Sequence, residues 1–151
     1  MKIKSMILTA AAALTLAGTA CAASLPEIAH WQNGAARITK LEALSGNKGA
    51  WSERDYRTAS GTLLHAVLIQ GAGAKGWQPR AADAEKGEIS GGETAENLTI
   101  AGCQALLEYR PVTGRSLTVL VDAENVLTLE SAFAEKEEIT EAAETIIENM
   151  K

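Results

Sequence analysis

Apolar and polar residues alternate along most of the second half of the chain, and the spacing turns helical only near its end. In RSLTVLVD (115–122), Leu117, Val119 and Val121 recur at every second position, which places them on one face of a strand. Ahead of it, NLTIAG (97–102) and CQALLEYR (103–110) read as a strand interrupted at Gly102, a position suited to a bulge. The PVTG turn (111–114) and a tight connection over 123–125 then lead to VLTLE (126–130). A three-strand meander is expected here.

In the first half, TLLHAVLIQ (62–70) is apolar on both faces, with Leu63, His65, Val67 and Ile69 opposite Leu64, Ala66 and Leu68. Such a run suits a central strand covered on both sides. WSERDYRTA (51–59) sets Trp51, Glu53, Asp55 and Arg57 against Ser52, Arg54, Tyr56 and Thr58, as in a partly exposed strand. Arg54 and Arg57 are expected as surface charges that pair with local acids. A turn at Ser60-Gly61 makes the two runs a hairpin. RITKLEAL (37–44) is compatible with a strand, SGNKG (45–49) is turn chemistry, and SLPEIAHWQNGA (24–35) gives a short helical or irregular lead.

Toward the C-terminus, Ile139, Ala142, Ala143, Ile146, Ile147 and Met150 recur at helical spacing. Ser131 stands where an N-cap is wanted. Glu135, Glu137 and Glu138 follow in the N-terminal part, where negative charge suits the helix dipole. Glu141, Glu144 and Glu148 line a second, solvated face. Together the elements predict an α+β fold: an antiparallel sheet of about five or six strands, hairpin plus C-terminal meander, packed against an amphipathic C-terminal helix. A short N-terminal helix is an option within that plan.

Between the two groups of strands, residues 71–96 carry six of the thirteen glycines. A loop of this length without its own secondary structure tends to serve function or to move. It opens with GAGAKG (71–76), the spacing G-x-G-x-x-G directly after a strand. In a dinucleotide fold those glycines lead into a helix whose N-terminus meets the pyrophosphate. Here WQPR follows, no helical periodicity develops, and the G-x-x-x-x-G-K-[ST] of a phosphate loop is absent. The motif reads as a bend, and no cofactor is expected. Lys75, Trp77 and Arg80 are the candidate contact residues of the loop, because Trp and Arg dominate interface hot spots. For Trp77 itself the plainer reading is burial against the core, since large apolar groups usually find cover.

No catalytic or metal-binding set is legible. Ser90 in EISGG has Glu88 where G-x-S-x-G requires glycine. Ser45 and Lys48 match S-x-x-K without its companion motifs. Of the two histidines, His65 lies in an apolar strand and reads as a hydrogen-bonded structural group, while His30 has no acidic partner nearby in sequence. Histidine and cysteine pairs at metal-binding spacing are missing, as is a calcium loop. Cys103, among small and apolar residues, reads as a small buried hydrophobe.

The N-terminus changes the picture of where the protein works. Lys2 and Lys4, an uncharged stretch from Ser5 to Thr19, and Ala20-Cys21-Ala22 form the pattern of a secretory signal peptide over 1–22. Its apolar part is too short to span a membrane. A lipid anchor at Cys21 is the lesser alternative, since Thr19 and Ala20 separate Leu16–Gly18 from the cysteine. Residues 23–151 then form a single domain. The formal charge of −5 becomes two units more negative when Lys2 and Lys4 leave, which disfavours nucleic acid and anionic lipid as partners. The expectation is a small exported protein of a bacterial envelope, periplasmic or secreted: a non-enzymatic binding or accessory module for an envelope protein or a small ligand. An envelope hydrolase with a spatially assembled site is the alternative.

Overall fold

A computed structural model describes residues 24–42, 46–77, 87–89 and 91–151. The signal-peptide assignment over 1–22, with Cys21, falls outside the described residues, as do Ser45, Arg80 and Ser90. No helix among the described residues is long and apolar enough to cross a membrane.

The strands are β1 (Gln32–Asn33), β2 (Arg37–Glu42), β3 (Lys48–Arg57), β4 (Leu63–Gly71), β5 (Gly87–Ile89), β6 (Glu93–Ile100), β7 (Cys103–Arg110), β8 (Gly114–Asp122) and β9 (Asn125–Ser131), followed by helix α1 (Lys136–Met150). They form one antiparallel sheet in the order β1-β3-β4-β9-β8-β7-β6-β5. β1 and β2 share the same edge of β3, pairing respectively with Tyr56–Arg57 and with Lys48–Glu53. The architecture is α+β and mostly sheet, with more strands than the alternation alone predicts.

The β3–β4 hairpin and the β7–β8–β9 meander form as expected. The surplus comes from three places. Gln32–Asn33 is a strand and residues 24–31 contain no helix, because the Asn33 side chain closes a turn by accepting from the Ile28 N–H at 2.8 Å and donating to the Ile28 carbonyl at 3.0 Å. Gly102 is not a bulge within one strand. Ala101 and Gly102 both have positive φ, 49° and 80°, the signature of the tight turn whose twist suits a hairpin, so the run divides into β6 and β7. Lastly, residues 87–89 and 93–96, expected within the loop, pair as β5 and the start of β6.

Topology explains why the β4–β5 connection is long. β9, β8, β7 and β6 lie between its two ends. At about 4.8 Å per strand the chain must move about 24 Å sideways.

One face of the sheet, called inner here, carries the core. Leu64, Ala66 and Leu68 of β4, Leu127 and Leu129 of β9, and Leu117 and Val119 of β8 are buried against Ile139, Ala142, Ala143, Ile146 and Ile147 of α1. Each leucine, isoleucine or valine among them contributes about 1.5–3 kcal/mol on burial. The helix starts later than Ser131 suggests. Glu135 is the N-cap, and a capping box joins it to Glu138, whose Oε2 accepts the Glu135 N–H at 2.8 Å. Ser131 instead ends β9: its Oγ accepts from the Ala134 N–H and donates to the Leu63 carbonyl.

Beside the helix, residues 24–31 cover the β3 side of the same face. The Leu25 N–H reaches Ser52 Oγ at 3.4 Å, and Tyr56 donates its hydroxyl to the Pro26 carbonyl at 2.6 Å. This segment also covers Arg54. The arginine is buried at 8% exposure, so the expectation of a surface charge is corrected: its position on β3 shares the core-facing side with Ser52 and Tyr56.

Candidate functional site

The GAGAKG turn is built from bonds within the protein. Gly71 has φ +72°, and a Cβ there would sit 2.6 Å from the Lys48 carbonyl oxygen, so glycine is required. The Gly71 N–H donates to the Glu124 carbonyl, Ala72 to Lys48, Ala74 and Lys75 to Gly71, and Trp77 to Ala74. A phosphate cradle needs such amides free and aimed outward; these are already taken by carbonyls. Lys75 Nζ lies 3.5 Å from Glu124 Oε1, tying the turn to the β8–β9 connection. Trp77 is half-buried. Of the three candidate contact residues, Lys75 and Trp77 thus share one turn, and Arg80 is outside the described residues.

This turn stands at one end of the outer face, the side of the sheet away from α1. Gly73 lies beside Ile69 and Leu41, both on that face. Strand register places successive outer-face residues in transverse rows. Nearest the turn run Trp51, Ile69, Val126 and Leu120, on β3, β4, β9 and β8. The next row is Glu53, Val67, Thr128, Thr118 and Leu106, continuing to β7. Val67, Val126 and Leu106 are buried among their neighbours, and the Thr118 and Thr128 hydroxyls lie 3.4 Å apart. The sole described helix lies on the other side. β4 is central in the sheet, and on its outer face Val67 is buried while His65 and Ile69 are half-buried.

A third row is charged: Asp55, His65, Glu130, Ser116 and Glu108 on β3, β4, β9, β8 and β7. His65 Nδ1 lies 2.7 Å from Asp55 Oδ1. A carboxylate accepts, so Nδ1 carries the proton of this bond and the ring is oriented by it. The hydrogen bond expected for His65 is thus present, made to Asp55. Ser116 is separated from His65 by the whole of β9 and is not its partner.

Other candidates are dispersed. His30 is exposed in a turn at φ 67°. Cys103 is free and half-buried, its thiol donating weakly to the Val121 carbonyl at 3.5 Å. No group of three or more His, Cys, Asp or Glu residues suited to a metal occurs among the described residues. Alternation had assigned Asp55 and His65 each to a strand face; the row across five strands was not legible, because it depends on pairing β4 with the distant β9. Comparison with protein-family models, with curated proteins and with solved structures finds no match to the chain.

Proposed function

We propose that the protein is an exported, non-enzymatic binding module of the bacterial envelope, and that it takes a partner protein on the outer face of its sheet. The observation that carries this reading is the asymmetry of the sheet. α1 covers one face, while the other carries the half-buried Trp51, Ile69, Leu120, Thr118 and Thr128 between the Lys75–Trp77 turn and the row of Asp55, Glu130 and Glu108. Apolar centres with polar margins are the anatomy of protein interfaces. The partner that fits presents an apolar strip with a basic group at one end, to meet the carboxylates. Export rests on the signal pattern over 1–22; intact mass of the exported chain separates cleavage after Ala22 from lipidation of Cys21.

A photo-crosslinking residue at Thr128 tests the surface in cells, with Ile69→Glu plus Leu120→Glu as the disrupting variant. Capture should fall at least about tenfold if these are central contacts, with the melting temperature nearly kept. Replacing Lys75, Trp77 and Arg80 together by Ala should also weaken capture. Unchanged capture in both variants sinks the reading, and sedimentation distinguishes a second copy of the chain from a foreign partner.

The oriented Asp55–His65 pair favours a second reading, an envelope hydrolase in which His65 acts as general base. Turnover of an ester, peptide or glycan substrate that is abolished by His65→Ala or Ser90→Ala would establish it in place of the first.

A further inference from the structure

On the opposite side of the molecule, between the β3–β4 turn and the flank of α1, lies a cleft of about 230 Å³. Trp31, Thr58, Ser60, Glu138, Glu141 and Thr145 line it. The three helical residues fall at i, i+3 and i+7 and so share one flank of α1.

The walls are held in place. The Trp31 ring meets Tyr56 edge-on, with centroids 5.6 Å apart and planes at 78°, and Tyr56 is itself buried and anchored to the Pro26 carbonyl. The Asn33 amide donates to the Trp31 carbonyl at 3.0 Å. On the facing wall the hydroxyls form a chain: Thr58 Oγ1 to Ser60 Oγ at 2.9 Å, Ser60 Oγ to Thr62 Oγ1 at 3.4 Å, and Thr62 to Glu138 Oε1 at 2.8 Å. Glu138 also accepts the Glu135 N–H. Two donors to one carboxylate favour its charged form, and the group is held below its ordinary value.

Among the described residues, no Lys, Arg or His lines the cleft. The nearby Arg115 is engaged elsewhere, donating to the Ala134 carbonyl at 2.6 Å and to Glu135 Oε2 at 2.9 Å. Glu141 is exposed. Among the described residues the cleft therefore offers two carboxylates, an indole and hydroxyls, and no cation. Anions are repelled. A cation with an apolar stem is favoured on two counts, by the carboxylates and by the apolar, electron-rich indole in the wall.

Size narrows the class further. Drug-sized ligands need pockets of about 300–1,000 Å³, so this cleft suits a smaller group. We infer that it binds a primary alkylammonium group, the chemistry shared by a lysine side chain of a partner and a free aliphatic diamine. This site is independent of the outer face, and its test does not depend on that surface.

The experiment titrates ¹⁵N-labelled protein with cadaverine and with the peptide acetyl-Gly-Lys-Gly-amide, using methyl glucoside as the neutral control. Saturable shifts of the Trp31 indole and of the Glu141 and Thr145 amides are expected with both amines. Glu141→Gln, at an exposed position, should weaken binding about five-fold, with a similar direction on raising salt. The tighter of the two amines identifies the source. Absence of saturable shifts, an affinity unchanged in Glu141→Gln, or methyl glucoside binding as well as the amines would each overturn the assignment.

Discussion

The Arg54 guanidinium, 8% exposed, has its ion-pair partner in Glu27, whose Oε1 lies 3.7 Å from Nη1 while Glu27 itself is 81% exposed. Nε and Nη1 of Arg54 are buried without a hydrogen-bond partner among the described residues. A buried charge so incompletely satisfied costs more in desolvation than a screened, exposed carboxylate returns. Arg54→Met keeps the stem against the core and removes the charge. It should stabilise the protein by about 1–2 kcal/mol, read as a higher urea midpoint at unchanged slope. Glu27→Ala should cost less than about 1 kcal/mol because its side chain is largely in water. A lower midpoint for Arg54→Met would show that the guanidinium is better satisfied than its geometry indicates.

Gly71→Ala should destabilise by at least about 2 kcal/mol, from the left-handed conformation together with the clash against Lys48. Thermal melting checks it. Because the turn carries Lys75 and Trp77, the same variant should weaken partner capture at temperatures where it is still folded. A melting temperature equal to that of the parent protein would show that the turn relocates without cost.

Local pattern made the hairpin, the C-terminal meander and the apolar stripe of α1 legible, since each rests on neighbours in sequence. Two positive-φ residues at Ala101-Gly102 were harder to read: an alanine rarely takes that conformation, and Asn-Gly is the usual signal. The 71–96 stretch reads in the sequence as one long loop; its 72–86 part also has to span the distance between β4 and β5, which stand far apart in the sheet. Arg54 escaped because alternation assigns faces without saying which one is buried, and SERDY has polar residues on both. The charged row and the Trp31 cleft depend on tertiary pairing, through β9 in one case and through the packing of residues 24–31 beside α1 in the other.

Glu138 yields a pH dependence with a definite sign. Its carboxyl is lowered from 4.5, chiefly by the Glu135 N–H and then by the Thr62 hydroxyl, with burial opposing and Arg115 assisting. A depressed folded-state value means that the stabilisation is present above the unfolded value and is lost as pH falls through the folded one. The melting temperature should therefore decline on acidification below about pH 4.5. Glu138→Gln keeps a capping-box acceptor but no charge, so its acid decline should be shallower. Identical acid profiles for the two proteins would remove Glu138 from the account.

At the alkaline end the corresponding group is Tyr56. Burial pushes its phenol from 10.0 up to about 12, Arg54 opposing and Glu27 adding to the rise. A raised value for an acid favours the neutral phenol in the fold. Its contribution is complete below pH 10.0 and is lost as pH rises toward about 12. Tyr56→Phe retains the ring under Trp31 and the core volume, and removes only the hydroxyl that donates to the Pro26 carbonyl. Near neutral pH the variant should be less stable by about 1 kcal/mol, the net value of one such hydrogen bond. Above pH 10.0 the difference should narrow and then reverse, because the parent protein must keep a phenol neutral that the solvent would ionise, while the variant has none. Melting curves of both proteins from neutral pH to about pH 11 test this; a gap that stays constant across that range would show that Tyr56 does not titrate on unfolding.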